Sequence, residues 1–246
     1  MFGSRRHEKA TMYPEDCLQS IIKPSAWWTK NDNHSLCRGA LISTFAPHVD
    51  QIPYTFEPVG RTQADQHDAA ILRVSPLSVN QPLKKTDLPV AAMTLHEGEV
   101  WAAYRAKRRP CLVIGSGSKP VDKGLTTGMA NSSTASAILV APYYGAEKSS
   151  KRGGYRPEFV ERIRHCEYPQ FVWDHLPIPG GVESILRLDH IQPMGTHHQA
   201  CRISDFKLSD DALCIIDELL GWLIWGGVKD DSLIALYRQQ IEETFP

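Results

Sequence analysis

The strongest constraint on the fold is a series of short apolar runs between residues 97 and 225, each bounded by turn residues. Apolar runs of this length are typical of buried strands, and their close spacing favours a small, curled, mostly antiparallel sheet or barrel. The runs are Val100–Tyr104, Cys111–Ile114, Ala137–Ala141, Gln170–Trp173 and Val182–Leu188. The sequence therefore predicts a mainly β fold with added helices in this part of the 246-residue chain.

Helical patterns follow these runs. Residues Asp210–Trp225 carry apolar side chains at a spacing of three and four, Ser209 can cap the first turn, and Gly226 follows the last turn. This stretch is apolar on more than one side, which predicts a helix buried on more than one side. Shorter helices are predicted over Arg156–Cys166 and Asp231–Thr244.

The first 95 residues have a less regular pattern. Strand-like runs occur at Gly39–Phe45 and Ala69–Val74, and Ser75–Pro89 is predicted to be a connector because it contains three prolines. We interpret residues 1–95 as an N-terminal extension of strands and loops that can pack on a barrel domain over residues 96–246. If the extension covers a binding groove of that domain, removal of its residues should increase binding there.

Several classes of protein are disfavoured. No apolar run approaches the roughly 20 residues that cross a bilayer, and the N-terminus has neither a secretory nor a lipid-anchor pattern. We therefore expect a cytoplasmic protein without a membrane partner. The six cysteines show no CxxC spacing, which argues against a zinc ribbon and favours reduced, structural thiols.

Metal-ligand residue types do occur in the N-terminal part, at His48, Asp50, His67 and Asp68. Hydrogen bonding within turns is the default interpretation of such positions, although their spacing leaves a mononuclear metal site as a remote alternative. We expect no metal and no cofactor.

Charge is unevenly distributed although the net charge is only −1. Residues 96–204 contain 14 Lys or Arg against 10 acidic residues, whereas residues 205–246 contain 3 against 9. A mildly basic middle part suits a polyanion such as nucleic acid. The predicted turn Lys107-Arg108-Arg109-Pro110 is either a phosphate-binding segment or a solvated basic hairpin.

Four segments occur in an order that is typical of one protein family. Gly98–Tyr104 is a glycine followed by an apolar strand with a tryptophan, and Arg109–Ile114 is an Arg-Pro pair followed by an apolar strand. Ala137–Pro142 is an apolar strand that ends in proline, and Ser184–Pro193 is an apolar strand followed by an aspartate. Together they resemble the MazF/PemK-like toxins of type II toxin–antitoxin systems over residues 96–225.

This resemblance implies an SH3-like barrel that forms a homodimer, binds RNA and pairs with an antitoxin protein. It also implies a metal-independent endoribonuclease that cleaves single-stranded RNA. Such cleavage needs a base for the 2′-hydroxyl, an acid for the leaving oxygen and positive charge for the phosphorane.

The resemblance also implies roles for individual residues. Arg109 matches the catalytic arginine of the family, and Asp189 matches its aspartate. Tyr144 stands where the family usually has Thr or Ser, and Tyr104 stands where some members have Glu. We expect Tyr144 to take part in catalysis, because a phenol can donate a hydrogen bond to phosphate or stack on a base.

Other residues are candidates because of their chemistry. His190 follows Asp189 and could replace the missing base, since an unperturbed histidine titrates at about pH 6.5; the alternative is a histidine at the surface or core edge. A further aromatic and basic surface is expected to contact RNA, and its alternative is a flexible charged loop. The expected substrate contacts are Lys107, Arg108, Tyr143, Lys151, Arg152 and Asp189.

Two functions remain open at this point. In one, the chain is a MazF-like endoribonuclease in which Arg109 stabilises the transition state and Tyr144 or a histidine assists. In the other, it is a non-catalytic derivative that binds nucleic acid or protein, because Tyr104 and Tyr144 replace expected catalytic residues.

Overall fold

The structure is a computed structural model. It describes residues 13–63, 65, 69–80, 95, 98–117, 122–128, 137–147, 153–180, 183–197 and 199–244. These residues form a curled antiparallel sheet and a smaller sheet, together with three α-helices. The prediction of a mainly β fold with α-helices is confirmed.

Two compact units divide the chain. The first unit contains Met1–Phe45 and Arg108–Pro246, and the second contains Ala46–Lys107. The sequence predicted one boundary, between residues 95 and 96. Of that extension, residues 1–45 belong to the first unit and residues 46–95 to the second, which continues to Lys107.

The sheet of the first unit has eight strands. Their bounds are β1 Trp28–Lys30, β2 Ala40–Pro47, β6 Ala106–Gly115, β7 Ala137–Gly145, β8 Phe171–His175, β9 Glu183–Arg187, β10 Gln192–Gly195 and β11 Cys201–Leu208. The strands lie in the order β1-β11-β2-β6-β7-β9-β8, and β10 pairs with β7 outside this order. The second unit has a three-stranded sheet of β3 Tyr54–Gly60, β4 Ile71–Pro76 and β5 Ala102–Ala103, in the order β4-β3-β5.

The strand β2 occupies the middle of the large sheet, between β11 and β6. The backbone N–H of Gly39 donates to the carbonyl of Val113 at 2.7 Å. Gly39 has a φ of 82°, and a Cβ there would lie 3.3 Å from the side chain of Leu213. The predicted strand at Gly39–Phe45 is thus present, but as an integral part of the core sheet and not as an added cover.

Three helices complete the fold: α1 Pro157–Arg164, α2 Asp210–Trp225 and α3 Leu233–Thr244. The α2 helix begins at Ser209, whose Oγ accepts from the N–H of Ala212 at 3.2 Å, and it ends at Gly226 in the left-handed conformation. Ile215, Ile216 and Leu219 of this helix are buried in the main core. The three predicted helices are confirmed in position.

The basic segment that was predicted as a turn lies inside strand β6. Successive side chains of a strand point to opposite faces, so Arg108 and Arg109 face opposite ways. Lys107 and Arg108 are exposed, whereas Arg109 is half-buried. No described helix is long and apolar enough to cross a membrane.

Candidate active site

Arg109 and Tyr144 lie next to each other on neighbouring strands. In the antiparallel pair of β6 and β7, Cys111 is opposite Pro142, so that Arg109 comes opposite Tyr144 two residues further along. The guanidinium carbon of Arg109 lies 4.1 Å from the centroid of the Tyr144 ring. A cation over the face of a tyrosine ring is attracted by its π-electrons, and this contact holds both polar groups at one place on the sheet.

His190 forms a hydrogen bond with the hydroxyl of Tyr144. The Oη atom of Tyr144 lies 2.9 Å from Nδ1 of His190, and the two rings meet edge to face with centroids 5.6 Å apart. His190 belongs to a short 3-10 helix, Leu188–His190, that directly follows strand β9. His190 is only 7% exposed.

Arg187, at the end of β9, joins these residues to Asp189. Its Nε and Nη2 atoms donate to the two carboxylate oxygens of Asp189 at 2.7 and 2.6 Å, and Nη2 also lies 2.7 Å from Nε2 of His190. Burial disfavours the charged form of Arg187, but its hydrogen bonds to Asp189 and Tyr155 outweigh this and raise the pKa of the guanidinium. Arg187 therefore remains a cation within the site.

The structure brings together four of the predicted site residues: Arg109, Tyr144, Asp189 and His190. Sequence reasoning missed Arg187, although it stands inside the fourth family-like segment. The signal that could have found it is the spacing Arg-x-Asp-His at the end of a strand, where a following turn can bring the three side chains together.

Arg109 offers an unused donor at this site. Its Nε atom is buried and has no hydrogen-bond partner among the described residues. A buried polar group without a partner costs free energy, which an oxyanion could recover by accepting a bond from it. Together, Arg109 and Arg187 place two positive charges around the Tyr144 ring, at 4.1 and 5.7 Å from its centroid.

Arg108 is directed to a different surface. It lines a groove of about 780 Å³ with Pro110 and residues of β2 and β11, on the face of β6 away from Arg109. The structure therefore separates it from the cluster of Arg109, Tyr144 and His190. Lys107 is exposed two residues before Arg109, and Lys151 and Arg152 lie outside the described residues.

Tyr143 has a position that does not fit the predicted contact with RNA. It is only 3% exposed, and its hydroxyl donates to Oδ2 of Asp174 at 3.0 Å. The reason is the alternation of β7, which turns Tyr144 towards Arg109 and Tyr143 into the core. Tyr143 belongs to the core cluster of the first unit.

Asp174 is a buried carboxylate that the sequence did not single out. Besides Tyr143, it accepts hydrogen bonds from Tyr13, Trp27 and Trp28 at 2.9, 3.3 and 3.2 Å. Burial raises the pKa of Asp174, while the four donors act in the opposite direction. This network ties the N-terminal segment to strand β8 and has a structural role.

Among the described residues, no group of three or more His, Cys, Asp or Glu side chains is arranged to hold a metal ion. His48 and Asp50 are described, whereas His67 and Asp68 are not, so the remote alternative of a site that combines them stays a hypothesis.

No protein-family model matches the chain, and no curated protein matches it. A function for the chain therefore has to be inferred from the side chains of its site.

Proposed function

We propose that this chain is a MazF/PemK-like toxin and a metal-independent endoribonuclease that cleaves single-stranded RNA. The observation that carries the proposal is the contact of Arg109 with Tyr144, 4.1 Å from cation to ring centroid, beside the buried His190 and the half-buried Arg187. These residues combine a phosphate-binding cation with a proton donor at a half-buried position on the sheet.

Arg109 supplies the charge that phosphoryl transfer needs. Its guanidinium can bind two phosphate oxygens with parallel N–H donors, and its buried Nε has no hydrogen-bond partner among the described residues. Negative charge grows on the phosphorane oxygens in the transition state. A donor already held in place there lowers the barrier, because it does not have to reorganise during the reaction.

Tyr144 supplies the proton. In the proposed step, the 2′-oxygen of the ribose forms a bond to the adjacent phosphorus, and the bond from phosphorus to the 5′-oxygen breaks. The hydroxyl of Tyr144 protonates the leaving 5′-oxygen, and the proton of the 2′-hydroxyl passes to water. The resulting phenolate is stabilised by His190 at 2.9 Å and by the cations over its ring.

His190 has a different role from the one that the sequence suggested. As a general base it would have to reach the 2′-hydroxyl of the substrate, but the residue is only 7% exposed and both ring nitrogens lie within 3 Å of protein atoms. We therefore assign His190 to the positioning of Tyr144. Asp189 is bound by Arg187 and acts on the site through it.

Other parts of the proposal are supported by the resemblance of the four motifs alone. They are the SH3-like geometry of the curled sheet, a homodimer, an antitoxin partner and a cytoplasmic location.

A second candidate function is RNA binding without cleavage. The observation that favours it is the bulk of Tyr144, which fills the position of a smaller hydroxyl residue and packs under Arg109. An arginine and an aromatic ring side by side are suited to bind a phosphate and to stack on a base.

The test is to incubate the purified full-length protein with a mixed pool of single-stranded RNA in the presence of EDTA. We expect cleavage by the wild type, loss of cleavage in Arg109→Ala, and retention in Arg73→Ala. Arg73 is a matched control because it is an exposed arginine on a strand of the other sheet. Binding that weakens as salt rises, without cleavage, would support the second function; neither binding nor cleavage would reject both.

A further inference from the structure

Arg187 makes a three-way contact that joins a carboxylate to an imidazole. Two of its nitrogens bind Asp189 at 2.7 and 2.6 Å, and Nη2 is shared between Asp189 and Nε2 of His190, which lies 2.7 Å away. Its third nitrogen lies 3.4 Å from the hydroxyl of Tyr155. The guanidinium is held on several sides, so its direction towards His190 is well defined.

The short distance between Arg187 and His190 determines which nitrogen of the imidazole carries the proton. A guanidinium has only N–H donors and no acceptor. Nε2 of His190 must therefore accept, which requires that it carry no hydrogen. A neutral imidazole then has its hydrogen on Nδ1, and this N–H points at Oη of Tyr144, 2.9 Å away.

The state of His190 in turn determines how Tyr144 is used. When Nδ1 donates, Oη of Tyr144 accepts that bond and its own hydroxyl can donate at the same time. If the hydrogen were on Nε2 instead, Nδ1 would be an acceptor and would compete for the hydroxyl hydrogen of Tyr144. Tyr144 would then be a poorer donor to any oxygen of a substrate.

We propose that Arg187 is a positioning residue that fixes His190 as the neutral tautomer with hydrogen on Nδ1 and thereby keeps Tyr144 a hydrogen-bond donor. Asp189 contributes by holding Arg187 through both carboxylate oxygens. The consequence for RNA cleavage rests on the proposed function, whereas the tautomer itself does not.

The tautomer can be measured without RNA. In the full-length protein labelled with ¹⁵N-histidine, the two ring nitrogens have different chemical shifts when one is protonated and the other accepts. The signals of His190, one of ten histidines, are assigned by their loss in His190→Gln. We expect a protonated Nδ1 and an accepting Nε2 in the wild type, and a shift towards hydrogen on Nε2 in Arg187→Met.

A matched control is Arg162→Met, because Arg162 also forms a 2.7 Å ion pair, with Glu167, but lies on helix α1. It should leave the His190 signals unchanged. The proposal is overturned if wild-type His190 carries its hydrogen on Nε2, or on both nitrogens at neutral pH. It is also overturned if a folded Arg187→Met leaves the tautomer unchanged. If that variant does not fold, the wild-type spectrum still decides.

Cleavage rates give a second, separate readout. Arg187→Met and Tyr144→Phe should each lower the rate about 100-fold, the size of a general-acid contribution. The double variant should be no slower than either single one, because both changes remove the same donor. Additive losses would contradict the coupling. If the wild type does not cleave RNA but has the expected tautomer, the proposed function fails and the role of Arg187 in fixing His190 is retained.

Discussion

Asp174 is the residue on which four hydrogen-bond donors converge. Oδ1 accepts from Tyr13 and Trp28, and Oδ2 accepts from Trp27 and Tyr143. A carboxylate can accept all four bonds. An asparagine at this position would instead direct its NH₂ group, which only donates, at two of the four donors. In either orientation of the amide, that group would oppose one tryptophan N–H, which cannot accept.

Asp174→Asn should therefore lower the free energy of unfolding by about 3 kcal/mol, since a buried donor is left without a partner and bonds to a charged acceptor are lost. Urea unfolding of the variant and the wild type measures this difference. Asp205→Asn, at an exposed position on β11, is the control and should change the stability little. A loss below about 1 kcal/mol for Asp174→Asn would contradict the network as described.

The cysteines differ in their expected reactivity. Burial raises the pKa of Cys17 to about 11 and the pKa values of Cys111 and Cys166 to about 12. Because the thiolate is the nucleophile, these three should resist alkylation at about pH 8 in the folded protein. Cys214 is exposed and should react.

Mass spectrometry after treatment with iodoacetamide, with and without urea, checks this order. All six thiols should react once the protein is unfolded. Rapid labelling of Cys111 in the native protein would show that strand β6 opens more readily than its buried position indicates.

Site residues could be predicted from the sequence where a motif or a neighbour pointed to them, as for Arg109 and Asp189. Arg187 could not be predicted in this way, because its role depends on its contacts with Asp189 and His190, which follow strand β9. The sequence also places both Tyr143 and Tyr144 at the RNA surface, since only the pairing of β7 with its neighbours determines which of two adjacent tyrosines faces Arg109.

At the scale of the elements, helix α2 is the part that the sequence defines most completely. Its bounds follow from local signals: Ser209 at the start, Gly226 at the end and apolar residues between them. Ser209→Ala should cost about 1 kcal/mol of stability, because the N–H of Ala212 loses its acceptor. Thermal or chemical unfolding measures the loss, with the exposed Ser25→Ala as control; equal stability of the two variants would contradict the cap.

The strands were predictable as strands, but their partners were not. Strand β2 lies between β11 and β6, so its neighbours come from distant parts of the sequence, residues 201–208 and 106–115. Local apolar runs contain no information about such pairs, so the sequence alone predicts that the N-terminal part is an addition. For the same reason it predicts a turn at the basic segment, which in the structure continues strand β6.

At the scale of the whole molecule, the second unit is inserted in the sequence between the two parts of the first unit. The N–H of Gly39, directly before β2, donates to the carbonyl of Val113, and the N–H of His48, directly after β2, donates to the carbonyl of Arg105, directly before β6. These pairings run in opposite directions along the two strands, so β2 and β6 are antiparallel. Residues 49–104 thus leave and return at neighbouring points.

Replacing residues 49–104 with a short Asn-Gly turn should leave the first unit folded, since such turns join antiparallel strands. Deletion of residues 1–90 should instead prevent folding, because it removes the buried Trp27, Leu41 and Ile42 along with strand β2. Circular dichroism and unfolding curves of both variants check this. A well-folded deletion of 1–90, or an unfolded turn variant, would contradict the division into units.

The central claim is that Arg109 stabilises the phosphorane and Tyr144 protonates the leaving 5′-oxygen while the 2′-oxygen of RNA attacks the adjacent phosphorus. The chemical nature of the new ends tests it most directly. RNA cleaved by the wild type in EDTA should carry 2′,3′-cyclic phosphate and 5′-hydroxyl ends. These ends should accumulate about 100-fold more slowly with Tyr144→Phe. Products with 3′-hydroxyl and 5′-phosphate ends, or a rate that does not depend on Tyr144, would contradict the account.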